Sequence, residues 1–163
     1  MDARTAARTV AVMLTTTPLD QLASRAGTVL GASDYVTITQ DTVDAFAEVT
    51  GDRQWIHTDP ARAAVSTFRG TIAHGYLTLA LAPALLDQVL PLEEFAMVVN
   101  YGLDRLRFPA PLPVGEPVRL RVKLDDVERI PGGATLHLTL RFESPALDKP
   151  VCVAKVLYRV YEQ

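Results

Sequence analysis

Apolar and polar residues alternate with two different periods along this chain, and the change of period divides it. In residues 117–127, Val118, Leu120, Val122 and Leu124 alternate with Arg119, Arg121, Lys123 and Asp125, the two-residue period of a half-buried strand. Residues 136–142 repeat it with Leu136, Leu138, Leu140 and Phe142, and the intervening Pro131-Gly132-Gly133 turn makes the two a hairpin. After a loop at 144–150, residues 151–161 place Cys152, Ala154, Val156, Tyr158 and Val160 on one face of a last strand. Residues 97–101 and 103–108 read as one extended stretch with a bulge or bend at Gly102.

The earlier half has the helical period. Val43, Phe46, Ala47 and Thr50 fall on one side of a helix over 40–50, with Thr39 as its cap, Asp41 and Asp44 near its start and Gly51 as its stop. Asp59-Pro60 opens another helix as cap and first residue. Residues 73–90 form a long helix that is apolar nearly all round, so it must be surrounded by protein; Pro83 bends it and Pro91 ends it. Thr78, Pro83, Asp87 and Gln88 and its short length argue against a membrane span. Residues 17–30 read as a modest helix on Leu19, Leu22, Ala23 and Ala26, and 33–39 as a strand on Tyr35, Val36, Thr37 and Ile38. Residues 1–17, with Arg4, Arg8 and a short apolar patch, read as a poorly ordered leader, with Met13 as another possible start. The expected architecture is α+β: a single domain over 18–163 in which an antiparallel sheet wraps one long buried helix, the hot-dog arrangement.

Composition changes this picture little. At 163 residues, 48% hydrophobic and 21% charged, the chain suits one domain with a sizeable core. The net charge of −3 provides no basic field for nucleic acid or an acidic membrane surface. The single cysteine, Cys152, excludes an internal disulfide and a cysteine-rich metal site, fits a cytoplasmic location and reads as a small core residue.

Candidate chemistry is concentrated between positions 50 and 81. Asp52 and His57 flank a short non-helical turn between two helices, which presents an acid and a base on a loop. At Ala73-His74-Gly75-Tyr76 the long helix begins, and the N–H groups near Gly75 are unpaired donors suited to an oxyanion. His74 at that start is given a positioning role only. His137 and Tyr101 read as surface and packing. Arg105, Arg107, Arg119 and Arg121 are possible phosphate contacts, though alternating strand charges more often only solvate a face.

The run Asp52-Arg53-Gln54-Trp55-Ile56-His57 resembles the motif D-x-N-P-x-H of the MaoC-like (R)-specific enoyl-CoA hydratases, the hydratase 2 family. Ile72-Ala73-His74-Gly75-Tyr76, Asn100-Tyr101-Gly102 and Arg107-Phe108-Pro109 resemble that family's later landmarks in the same order. Gln54 stands where the motif has Asn, keeping a carboxamide on a longer side chain, and Trp55 where it has Pro. The resemblance implies a hot-dog homodimer that adds water reversibly to trans-2-enoyl thioesters, giving (R)-3-hydroxyacyl thioesters. It implies Asp52 and His57 as the catalytic pair, the Gly75 N–H as oxyanion donor, and Gln54 in a positioning role. No metal or separate cofactor is expected: coenzyme A, or an acyl carrier protein, enters as part of the thioester substrate. Two alternatives stand beside it, a hot-dog thioesterase and a non-catalytic acyl-thioester-binding subunit. The first wants a helix-borne carboxylate, for which the apolar helix offers only Asp87; the second is disfavoured by the intact Asp52 and His57.

Overall fold

The computed structural model describes residues 18–162. The expectation of a leader therefore lies outside the described residues. The backbone follows the two periods. Strands β3 (Met97–Arg107), β4 (Pro117–Ile130), β5 (Gly133–Glu143) and β6 (Cys152–Tyr161) are antiparallel neighbours, and β1 (Val29–Ala32) adds an edge, giving the order β1-β4-β5-β6-β3. The hairpin register sets Leu120 opposite Phe142, Val122 opposite Leu140 and Leu124 opposite Leu138, so the apolar set of both strands shares one face. Those six side chains are all but fully buried, and each stabilises the fold by roughly 1.5–3 kcal/mol on transfer from water. Gly132, at φ +75°, turns the chain between β4 and β5, and Gly133 follows because a Cβ there would meet the Val160 carbonyl oxygen at 1.9 Å.

Helix α1 (Pro18–Ser24) and the pair α5 (Gly75–Ala80) and α6 (Ala82–Asp87) supply the other side of the core through Leu19, Leu22, Leu77, Leu85 and Leu86. Helices α2 (Gln40–Thr50), α3 (Trp55–Thr58) and α4 (Pro60–Ala64) carry the site region. Helix α2 ends as its sequence demands: the Thr39 side chain accepts from the Thr42 N–H, and Gly51 caps the C-terminus at φ +79°.

Several expectations are corrected. The helix expected over 17–30 stops at Ser24. Gly27 turns the chain at φ +82°, and residues 29–32 become β1, which gains β4 as a hydrogen-bonding partner. The strand expected over 33–39 shrinks to β2 (Val36–Thr37), paired with Val118 and Pro117. The single long helix is two, interrupted at Leu81, because Pro83 has no N–H to offer the turn before it. That pair is not enclosed on all sides either: Tyr76 is 67% exposed, and Tyr76, Leu79, Ala80 and Pro83 face β3 across an open groove of about 460 Å³. The bulge near Gly102 is present, and a second one follows between Leu103 and Arg105. Among the described residues no helix is long and apolar enough to cross a membrane.

Candidate active site

Tight local turns deliver Asp52 and His57. Past the Gly51 cap, the Arg53 N–H returns to the Gly51 carbonyl, and the His57 and Asp59 N–H groups reach the Gln54 and Trp55 carbonyls at 2.9 and 3.0 Å. His57 therefore sits in the one-turn helix α3 rather than on an open loop, and it is only 6% exposed. Asp52 stays exposed. The segment leading into α5 runs alongside, because the Ile72 N–H donates to the Ile56 carbonyl at 3.0 Å and the Ala73 N–H to the Leu112 carbonyl at 2.8 Å. Asp52, His57, His74 and Gly75 are thereby brought together, as their spacing in two separate segments requires.

Backbone carbonyls fix the protonation pattern of both imidazoles. The His57 Nδ1 lies 2.7 Å from the Ile72 carbonyl oxygen, which can only accept, so Nδ1 carries the hydrogen and Nε2 keeps its lone pair. The His74 Nε2 lies 2.9 Å from the Asp52 carbonyl oxygen and is a donor by the same reasoning. The two rings stack with centroids 3.8 Å apart and planes 26° apart. One Asp52 carboxylate oxygen and one ring nitrogen from each histidine lie within 4.8 Å of one another. That set has the chemistry of metal ligands, but His57 Nδ1 and His74 Nε2 are already bonded to carbonyls and His74 Nδ1 is shielded from solvent. Burial pushes the His57 imidazole below its ordinary value, the Ile72 hydrogen bond opposes this, the facing His74 adds to it, and the Asp52 carboxylate counters it.

Gly75 is the first residue of α5 and has no intrahelical partner for its N–H. With His57, Ile72, Thr78, Phe108 and Leu112 it lines a pocket of about 290 Å³. A Cβ on Gly75 would stand 2.9–3.0 Å from the Phe108 ring, so any larger residue there would have to displace that ring. Phe108 in turn meets Tyr76 edge to face at 5.9 Å.

The carboxamide of Gln54 is exposed and forms no hydrogen bond to Asp52, His57 or His74; the residue contributes its carbonyl, which accepts from His57 and Thr58. Trp55 packs beneath the Arg62 guanidinium, 4.4 Å from ring centroid to Cζ. A different amide braces the site. Gln40 donates from Nε2 to the His57 carbonyl at 2.7 Å and to Asp44 Oδ1 at 2.8 Å, and its Oε1 accepts from the Thr71 hydroxyl at 2.6 Å. Only its place at the start of α2 marked it in the sequence. His137 is a half-buried strand residue 3.4 Å from Glu128, and Tyr101 lies against the Arg159 guanidinium. Asp87, the last residue of α6, is exposed.

A five-stranded antiparallel path packed on an apolar helix pair, with Asp52, His57 and His74 gathered beside the start of α5, is a hot-dog domain. The MaoC like domain family matches residues 21–140. The chain is 49% identical over 141 residues to 3-hydroxyacyl-thioester dehydratase Z of Mycobacterium tuberculosis, covering 85% of this chain and 92% of that protein. It is 33% identical over 105 residues to the (R)-specific enoyl-CoA hydratase of Aeromonas caviae, covering 64% and 75%. Among solved structures it superposes on the unliganded R-hydratase of Pseudomonas aeruginosa with a TM-score of 0.67 at 28% identity, covering 82% of this chain and 83% of that one. The chain belongs to the MaoC-like dehydratase family, and its activity is that of a hydro-lyase.

Proposed function

We propose that the protein hydrates trans-2-enoyl thioesters to (R)-3-hydroxyacyl thioesters and catalyses the reverse dehydration. One observation carries the reading: the His57 ring, with Nε2 left unprotonated, and the Gly75 N–H line the same pocket, and the Asp52 carboxylate stands beside that ring. The names of the relatives support the substrate class and the stereochemistry.

In the hydration direction, the His57 Nε2 takes a proton from a water oriented by Asp52, and the water oxygen bonds to C3. The C2–C3 π electrons move toward the thioester, whose oxygen gains enolate charge opposite the Gly75 N–H. The proton taken from water returns to C2 through the Asp52–His57 pair, so hydroxide and proton together add one water. Proton transfer of this kind contributes about 10²–10⁴-fold, and one oxyanion donor about 10²–10³-fold. Every step uses protein groups and the substrate's own carbonyl; coenzyme A or an acyl carrier protein enters only as the thiol portion of the substrate. A cytoplasmic location suits that substrate class.

The deciding assay presents trans-2-enoyl-CoA thioesters of increasing chain length and follows the enoyl absorbance, with free thiol read in parallel. Loss of absorbance without thiol release is expected. Thiol release alone would make the protein a thioesterase, and inertness toward the whole series, including carrier-protein thioesters, would leave a binding subunit.

The Gln54 side chain is exposed and its carboxamide forms no hydrogen bond to Asp52 or His57, so Gln54→Ala is expected to alter kcat by less than about threefold, as for a surface substitution. A loss of tenfold or more at unchanged KM would show that the amide holds the water.

The reading includes a homodimer joined along β3. This strand is a sheet edge, and it exposes Met97, Val99, Tyr101 and Leu103 beside the open groove of α5 and α6. A long apolar edge is stable in solution when another strand or chain covers it. Light scattering at micromolar concentration should give twice the 17.8 kDa chain mass, and the substitution of lysine for Val99 should shift it toward the single chain.

A further inference from the structure

His74 is 2% exposed, and its contacts reach both members of the acid–base pair. Its Nε2–H donates to the Asp52 carbonyl at 2.9 Å, while its ring face lies against the His57 ring at 3.8 Å. Phe46 of α2 packs on the same imidazole with centroids 5.0 Å apart, which keeps it from rotating away. The remaining nitrogen, Nδ1, is shielded from solvent and has no hydrogen-bond partner. A buried acceptor left unpaired carries a desolvation cost that phenylalanine or leucine at this position would avoid. Filling space therefore does not explain an imidazole here, whereas a flat ring bearing one N–H at the right distance does.

We propose that His74 is a positioning residue for the reaction: its Nε2–H anchors the turn that bears the Asp52 carboxylate, and its face sets the plane of the His57 ring. Both reacting groups are then referenced to one rigid side chain, which holds them at a constant separation while the substrate enters. Asp52 needs such an anchor because its own side chain is exposed and its one hydrogen bond is a long one, 3.4 Å from the Gln54 N–H. Displacements of about 1 Å in such groups cost on the order of 10²-fold in rate. Among the described residues, the titratable groups that act on His57 are Asp52 and His74, and His74 opposes a charge on it. Removal of His74 consequently raises the pH at which His57 takes up its proton. The inference rests on the hydratase reading of this site, but it also has a test in the ligand-free protein.

Two substitutions separate the two contacts. His74→Phe keeps a flat ring in the stack and loses the N–H; His74→Gln keeps an N–H at similar reach and loses the ring. His74→Phe is expected to lower kcat roughly ten- to a hundredfold with KM changed by less than about threefold, and to move the acid limb of kcat/KM to higher pH. His74→Gln, which can still hold the Asp52 carbonyl, should recover part of the kcat loss. Nitrogen NMR of imidazole-labelled, ligand-free protein should show hydrogen on Nε2 of His74 and on Nδ1 of His57. It should also show the His57 titration displaced upward in His74→Phe. Hydrogen on Nδ1 of His74 in the wild type would overturn the proposal. So would a His74→Phe protein with wild-type kcat and an unmoved acid limb, or losses in both variants that merely follow the folded fraction read by near-ultraviolet circular dichroism. If His74→Phe does not fold, the wild-type tautomers and the kcat of His74→Gln decide. If the wild type hydrates no thioester, the functional reading fails, and the NMR tautomers and His57 titration still decide the role of His74 in ordering the pair.

Discussion

Asp52→Asn and His57→Ala should each nearly abolish hydration of a 2-enoyl-CoA, but only the second should weaken the fold. Asn is isosteric with Asp and preserves the turn; the Asp52 side chain is exposed, so the melting temperature should move little, corresponding to no more than about 0.5 kcal/mol. The amide lacks the charge that orients the water and helps return its proton to C2, so the rate should fall by about 10²–10⁴-fold. His57 is a different case. Its position between two helices reads as an open loop, where truncation would be harmless to stability, yet its ring is buried, bonded to the Ile72 carbonyl and stacked on His74. His57→Ala empties that space and leaves a buried carbonyl without its donor, a cost of about 2–4 kcal/mol. His57→Gln offers a partner amide and should recover part of the stability but not the rate. The kinetic losses should be strongly non-additive, because removal of either partner disables the same proton transfer. Enoyl absorbance and thermal melts on the two single variants and the double variant check the whole pattern. Unimpaired hydration by the double variant would sink the assignment of the pair.

A side chain at Gly75 should be the second most damaging change. Its first carbon would lie 2.9–3.0 Å from ring atoms of Phe108, too close for either to stay in place. Phe108 is 40% exposed and can swing outward, so Gly75→Ala should fold and lose part of its activity. Gly75→Val adds branches that close the approach to the N–H, and kcat/KM should fall by about 10²–10³-fold, the range for loss of an oxyanion donor. Pairing Gly75→Ala with Phe108→Ala separates two causes. If crowding of the ring is the whole defect, the double variant recovers. If the added methyl itself keeps the thioester oxygen from the N–H, it does not. Wild-type kcat/KM in Gly75→Val would remove Gly75 from the site altogether.

What the amino-acid sequence determined by itself is what depends on neighbours a few residues away. Helix α2 was legible because Thr39 and Gly51 satisfy its ends locally, and the β4–β5 hairpin because a two-residue period on both sides of Pro131-Gly132-Gly133 allows one register with an apolar face. The Asp52–His57 spacing and the glycine at the start of α5 were legible for the same reason, as were the family landmarks. Where a distant partner decides, local pattern misleads. Residues 29–32 sit at the end of a helical pattern and become β1 because β4 offers them hydrogen bonds. An apolar run that reads as one enclosed helix keeps an open stripe, since none of the described residues covers Tyr76 and Pro83. The chemistry of the site divides in the same way. Sequence names the imidazoles, but the nitrogen that holds the hydrogen is chosen by the carbonyls of Ile72 and Asp52. The brace at Gln40 likewise depends on the His57 carbonyl and the Thr71 hydroxyl. Every residue carries a carbonyl, so nothing in the identities of Ile72 or Asp52 announces that role. Only the packing of α3 against the strand-like run before α5 decides which carbonyl meets which ring.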